Sequence, residues 1–157
     1  MKILYLAHRI PYPPNKGDKI RSFHQIKYLA QKHQIYVAAL YDQKQDIEYH
    51  LDLSKLVKIV GLEYVNPYWD KLWSVRGLLR DRLLSVLYFY KKKLQAKIDS
   101  FLLTTRADVI FCFSSVMAEY VIGSKVQLNG ADRPRLIMDF CDLDSAKERE
   151  INKLNKN

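Results

Sequence analysis

Few residues in this sequence staple, bend or break a chain: two cysteines, five glycines and five prolines in 157 residues. Cys112 and Cys141 each sit inside an apolar strand-like run, so buried reduced thiols are expected and a disulfide framework is not. No apolar run approaches the roughly 20 residues that a spanning helix needs. The best, residues 83–90, breaks at once into Lys91-Lys92-Lys93. The opening eight residues are too short an apolar stretch for a signal peptide and lack a small-residue cleavage pattern, which predicts a cytoplasmic protein, at most peripheral to the inner face of the plasma membrane. Gly-x-Gly-x-x-Gly is absent, as is the Walker phosphate loop, and this disfavours NAD and P-loop nucleotide chemistry. Neither a Ser/His/Asp or Cys/His relay nor a glycosidase-like carboxylate pair can be assigned, so hydrolysis is not expected. Internal repeats and low-complexity segments are missing too.

What is present is a core-forming chain of one domain's size, 48% hydrophobic and 12% aromatic, with room for one ordinary core. Lysine and arginine number 26 against 17 acidic residues, a formal net charge of +9. Such an excess favours anionic partners without choosing among them.

Four runs are apolar on successive residues: Ile3 to Ala7, Ile35 to Leu40, Val109 to Phe113 and Leu136 to Met138. Strands buried on both faces of a helix-covered parallel sheet have this pattern. Between the first two, Ile20, Phe23, Ile26 and Leu29 or Ala30 recur at helical spacing and predict a helix from about Asp18 to Lys32. Residues 46–53 read as a short helix, and Val57 to Val65 as a strand bulged at Gly61. Tyr68 to Thr105 is helix-like, with Gly77 and Arg80-Asp81-Arg82 as breaks. Ser114-Ser115 is an N-cap signal for a helix over Val116 to Ser124, and residues 129–134 form a turn. The expected fold is α/β, a Rossmann-like parallel sheet of about five strands in the order 3-2-1-4-5 with helices on both faces. The domain is expected to span residues 1–143, followed by a polar tail or frayed helix over 144–157 at a truncation point.

In such a sheet ligands bind beyond the carboxyl ends of the strands. The first of those loops, His8 to Asp18, is stiffened by three prolines. Gly17 permits close approach of a ligand, Asp18 is placed to cap the helix, and Arg21 points back toward its N-terminus. A solvated structural loop is the alternative, but it needs neither Lys16 nor Arg21 beside the glycine. Asn15, Lys16, Gly17, Asp18 and Arg21 are therefore the candidate substrate-binding residues.

The stretch from Tyr5 to Phe23, read as YLAHRIPYPPNKGDKIRSF, closely resembles the opening of sugar transferases of the GT-B fold, glycosyltransferase family 4, and most nearly those associated with exopolysaccharide export and PEP-CTERM systems. Phe113 to Ala118 and Met138 to Ser145 resemble two further landmarks of that group. The resemblance implies one half of a GT-B fold, the acceptor-side N-terminal domain, with the C-terminal donor domain absent from this chain. It implies metal-independent transfer from a nucleotide sugar, a co-substrate and not a bound cofactor, to a glycan or lipid-linked acceptor in cell-surface polysaccharide synthesis. The fragment alone is expected to be inactive and to hold nucleotide sugar weakly. Two departures stand out. Lys16-Gly17 replaces a frequent double glycine, and Ser114 and Ser115 stand where many relatives carry a histidine.

Weak catalytic candidates are His8, Ser114, Ser115 and Asp139, each with a bland alternative; a lone histidine is more often packed or exposed than catalytic. Asp139, Asp142 and Asp144 make a poor metal cage without a histidine or distant carboxylate, so no metal is expected. The segment 69–97 sets Trp69, Trp73, Arg76, Arg80, Arg82, Lys91, Lys92 and Lys93 among leucines and tyrosines. Two readings fit it equally: contact with an anionic membrane surface or acceptor, and an ordinary helix pair with a solvated basic face. The alternative to a transferase is a non-catalytic basic α/β module binding nucleotide or nucleic acid. Nucleic acid is the less favoured partner, because the bases concentrate on one helical segment and no RNA-binding motif occurs.

Overall fold

A computed structural model describes residues 1–66, 88–126 and 133–140. Five strands form one all-parallel sheet: β1 (Lys2–Ala7), β2 (Gln34–Tyr41), β3 (Lys58–Tyr64), β4 (Val109–Phe113) and β5 (Arg135–Asp139), in the order β3-β2-β1-β4-β5. This is the doubly wound order expected of a Rossmann-like fold, with the chain reversing direction across the sheet at β1.

The unbroken apolar runs follow from burial on both faces. Leu4 and Leu6 of β1 point into one cluster, while Ile3, Tyr5 and Ala7 enter the other. The first cluster is closed by α3 (Lys92–Thr104), which contributes Leu94 and Ile98, and by Met117 and Tyr120. Full burial of each such aliphatic side chain stabilises the fold by about 1.5–3 kcal/mol. The second cluster lies under α1 (Gly17–Leu29), through Ile26, with Leu53 from α2 (His50–Ser54) alongside.

Helix α1 begins within the expected window, but its buried face is rotated. Lys19, Ser22 and Ile26 are buried, whereas Ile20 is exposed and Phe23 half-buried. The cause is polar. The Lys19 ammonium meets both carboxylate oxygens of Asp46 at 2.9 Å, and the Ser22 hydroxyl donates to the Asp18 carbonyl at 2.9 Å. Asp46 belongs to a 3-10 turn (Lys44–Tyr49) that precedes α2, so this ion pair pins the first turns of α1 to the β2–β3 connection.

The β3 irregularity lies beside Gly61. Val37 pairs with Ile59 and Ala38 with Gly61, leaving Val60 as the extra residue. A Cβ at Gly61 would come within 2.7 Å of Lys97 Cδ and 3.2 Å of Leu94 Cδ1, so the glycine lets α3 lie close on the sheet. After β4, a 3-10 turn (Ser115–Ala118) leads into the short α4 (Glu119–Ile122), which replaces the single helix expected over 116–124. Ser114 takes the cap position with no side-chain capping bond and φ of 86°. Among the described residues no helix is long and apolar enough to cross a membrane. Gly77, the 80–82 break, the 129–134 turn as a whole and the boundary expected at residue 143 lie outside the described residues.

Candidate functional site

Parallel pairing brings the ends of β1, β4 and β5 to one edge of the sheet, and the β1–α1 loop runs across that edge. The loop is anchored at its middle, where the Ile10 N–H donates to the Leu40 carbonyl at 2.7 Å, and the Ile10 side chain is fully buried. Past Pro11, the cis Tyr12–Pro13 bond and Asn15, the chain reaches Lys16, extended at φ −131° and ψ 153°, and enters α1.

Asp18 lies within the first turn and does not cap the helix. Its carboxylate is instead the hub of the loop. Oδ2 lies 3.3 Å from His8 Nε2 and 3.0 Å from Arg9 Nη1, while Oδ1 accepts the Lys19 amide at 2.9 Å. The hydrogen bond from His8 foremost, with Arg9 and the Lys19 amide adding to it, holds Asp18 well below the usual carboxylate range against burial that pushes the other way. Arg9 extends the network through Nη2 to Asp42 Oδ2 at 3.1 Å, just past β2. With three partners inside the chain, the Asp18 carboxylate positions the loop. His8 donates from Nε2 and leaves a buried Nδ1 without a partner among the described residues. Its ring stacks on Phe113, with centroids 5.9 Å apart and planes within 7°.

Gly17 behaves differently. It is exposed, and a Cβ built on it meets nothing within 4 Å. Neither crowding inside the chain nor a left-handed φ calls for glycine here, and open space lies where a side chain at this position would point. Asn15 is exposed and Lys16 half-buried on the approach to it.

One turn on, Arg21 crosses to β5. Its Nη2 meets Asp139 Oδ1 at 2.7 Å and Oδ2 at 2.9 Å, and its guanidinium carbon lies 5.8 Å from the Phe113 ring centroid. Gln25 donates to Asp139 Oδ2 at 2.9 Å and accepts from the Tyr5 hydroxyl at 2.6 Å. The Ser114 amide donates to the Asp139 carbonyl at 2.9 Å. Asp139 is therefore held from α1 and from β4 at once. Ser114, in a backbone region that non-glycine residues occupy at a cost of about 1–3 kcal/mol, stands at the same edge with Ser115 half-buried beside it.

The structure thus gathers His8, Asn15, Lys16, Gly17, Asp18, Arg21, Ser114, Ser115 and Asp139 at or near one edge of the sheet. Elsewhere, Lys91 caps α3, its amide donating to the Tyr120 hydroxyl at 2.8 Å, and Lys92 and Lys93 are exposed on the first turn. Trp69, Trp73, Arg76, Arg80 and Arg82 lie outside the described residues, as do Asp142 and Asp144. Among the described residues no group of three metal-ligating side chains occurs.

Sequence reasoning missed Arg9 and Gln25, the two residues that tie the loop hub to Asp42 and Asp139 to Tyr5. An arginine after a strand and a glutamine on a helix carry no spacing signal of their own. Compared with known proteins, the chain matches no protein-family model, no curated protein and no solved structure.

Proposed function

We propose that this chain is the acceptor-side α/β half of a glycosyltransferase that moves a sugar from a nucleotide-sugar donor to a glycan or lipid-linked acceptor. One observation carries the reading. The three segments that resemble family 4 transferases, 5–23, 113–118 and the described part of 138–145, are far apart in sequence and yet meet at the ligand-binding edge, linked by Arg21 to Asp139, Ser114 to Asp139 and His8 to Phe113. A purely structural loop does not need a glycine facing open space, nor a serine held at positive φ, at the same edge.

The chemistry available there suits binding and orientation. The first amides of α1 attract an anion or a polarised hydroxyl. Arg21 presents a fixed positive charge whose geometry Asp139 sets through one of its nitrogens, leaving Nε and Nη1 for a ligand. Lys92 and Lys93, exposed at the start of α3, suit an approach to anionic lipid where a lipid-linked acceptor would be met.

The test is transfer of radiolabelled sugar from a set of nucleotide sugars to a lipid-linked acceptor by the full-length enzyme. Gly17→Val, which fills the open space, and Arg21→Ala should each cut turnover at least tenfold while far-ultraviolet circular dichroism stays unchanged. Full turnover in both variants, or no transfer from any donor tried, would refute the assignment.

A further inference from the structure

The opposite edge of the sheet, where the strands begin, carries a second constellation that the proposed transfer chemistry does not use. Val109 and Arg135 are register partners, so the chain entering β4 through Arg106-Ala107-Asp108 and the chain entering β5 through Arg133-Pro134-Arg135 arrive side by side. Backbone bonds make their junction firm. The Asp108 amide donates to the Lys2 carbonyl at 2.9 Å, and the Arg135 amide donates to the Asp108 carbonyl at 2.9 Å. The Asp108 carboxylate accepts the Lys2 amide at 2.6 Å.

Above this junction lies a groove of about 510 Å³ lined by Arg106, Arg133, Arg135 and Asp108. Arg133 and Arg135 border it beside the Asp108 carboxylate, which already accepts a backbone N–H. Arg133 and Arg135 are exposed. Arg133 is held extended by the proline that follows it, so the two arginines stand roughly 6–7 Å apart along an extended chain. Guanidinium forks carried two positions apart on one extended chain can each meet a phosphate group in two parallel hydrogen bonds. A second groove, of about 520 Å³, is bordered by the same Arg133 and Arg135 but otherwise by Ile110, Val121, Pro134 and Leu136. The cationic rim thus adjoins an apolar surface.

We infer that the groove bordered by Arg133 and Arg135 is an anion site for a ligand bearing phosphate groups, distinct from the edge proposed to carry sugar transfer. The ligand chemistry is phosphate, whether free as a diphosphate or presented on a lipid headgroup whose chain lies along the apolar groove.

Calorimetric titration of the chain with inorganic pyrophosphate at low salt should give saturable one-to-one binding with a dissociation constant on the order of 100 μM, weakening as salt is raised. The Arg133→Ala, Arg135→Ala double variant should bind at least tenfold more weakly. Arg133→Lys, Arg135→Lys, which keeps the charge and loses the forks, should fall between. Both pairs are solvent-exposed, and circular dichroism checks that each variant folds. A parallel arm uses vesicles of phosphatidylcholine with and without phosphatidic acid. Sedimentation with the phosphatidic acid vesicles alone, abolished by the double alanine variant and competed by pyrophosphate, assigns the lipid headgroup as the source. Pyrophosphate binding without vesicle binding assigns the free diphosphate. Absent or unsaturable pyrophosphate binding, a change below twofold in the double alanine variant, or loss of binding on Arg21→Ala instead, would overturn the site. None of these measurements depends on sugar transfer.

Discussion

Replacing Asp46 with alanine removes both oxygens that the Lys19 ammonium touches at 2.9 Å, at a position where the lysine is fully buried and the aspartate 3% exposed. The ammonium is then left charged in an apolar setting, and breaking a buried pair this way costs about 3–5 kcal/mol. A domain of this size has an unfolding slope of about 2 kcal/mol per molar urea. The urea midpoint should therefore fall by roughly 1.5–2.5 M in Asp46→Ala. The reciprocal change, Lys19→Met, strands the carboxylate and should act in the same direction. The double replacement Lys19→Met, Asp46→Val removes both charges from a site of similar volume and should return to within about 1 kcal/mol of the starting stability. Equilibrium urea unfolding of wild type, Asp46→Val, Lys19→Met and the double variant completes a double-mutant cycle with an interaction energy of at least about 2 kcal/mol. A loss below about 1 kcal/mol in Asp46→Ala would mean that the Lys19 stem swings its ammonium to water, and the claim that this pair pins α1 would be wrong.

Three further outcomes follow from the same geometry. Asp18 has a depressed folded-state pKa, so its contribution to stability is present above about pH 4, the unfolded carboxylate value, and is lost as pH falls toward the folded one; the stability gap between wild type and Asp18→Asn should be largest near pH 6 and narrow steadily toward pH 2, and a gap independent of pH would contradict the hub. Gly61→Val drives a branched side chain against Leu94 and Lys97 and should lower stability by about 1–3 kcal/mol in thermal unfolding, with an unchanged melting temperature counting against the close approach of α3. Burial pushes the Cys112 thiol up to about 12, so in a Cys141→Ser background it should label with a thiol reagent only at the rate of unfolding; rapid labelling of the native protein would show that the strand is accessible.

The fold was legible because its strongest signal is coarse. Strands covered on both faces read as continuous apolar runs, and helical spacing between them forces parallel crossovers, so the strand order followed before any contact was known. The bulge beside Gly61 was visible for a related reason, since glycine inside a strand marks an interruption or a close approach. The polar interior was not. Lys19 sits between Asp18 and Ile20 in a sequence that reads as a solvated first turn, and its partner Asp46 lies 27 residues away. Periodicity assigned Ile20 to the core because hydropathy has no term for a buried ion pair. In the site, Gly17 and Arg21 were legible as an unusual combination in a loop of known location. Asp18 was assigned the wrong task, because the capping preference of aspartate says nothing about a histidine and an arginine that the loop folds back onto it. Ser114 holds the cap position that its residue type signals, but makes no side-chain capping bond, and its φ of 86° has no signal in the sequence.

The ion pair between Arg21 and Asp139 also sets an order of events during synthesis. The two residues are separated by 118 positions, and at about 5–20 residues per second a ribosome needs roughly 6–24 seconds to travel from one codon to the other. During that interval the first three strands and α1, and then β4 beside β1, can assemble on the emerging chain, but Arg21 and Gln25 have no common carboxylate to hold them until β5 is made. The edge that gathers the candidate residues is therefore the late-assembling part of the domain. A nascent chain stopped before Arg135 would keep β1 to β4 and present Arg21 at that edge with its counter-charge not yet made.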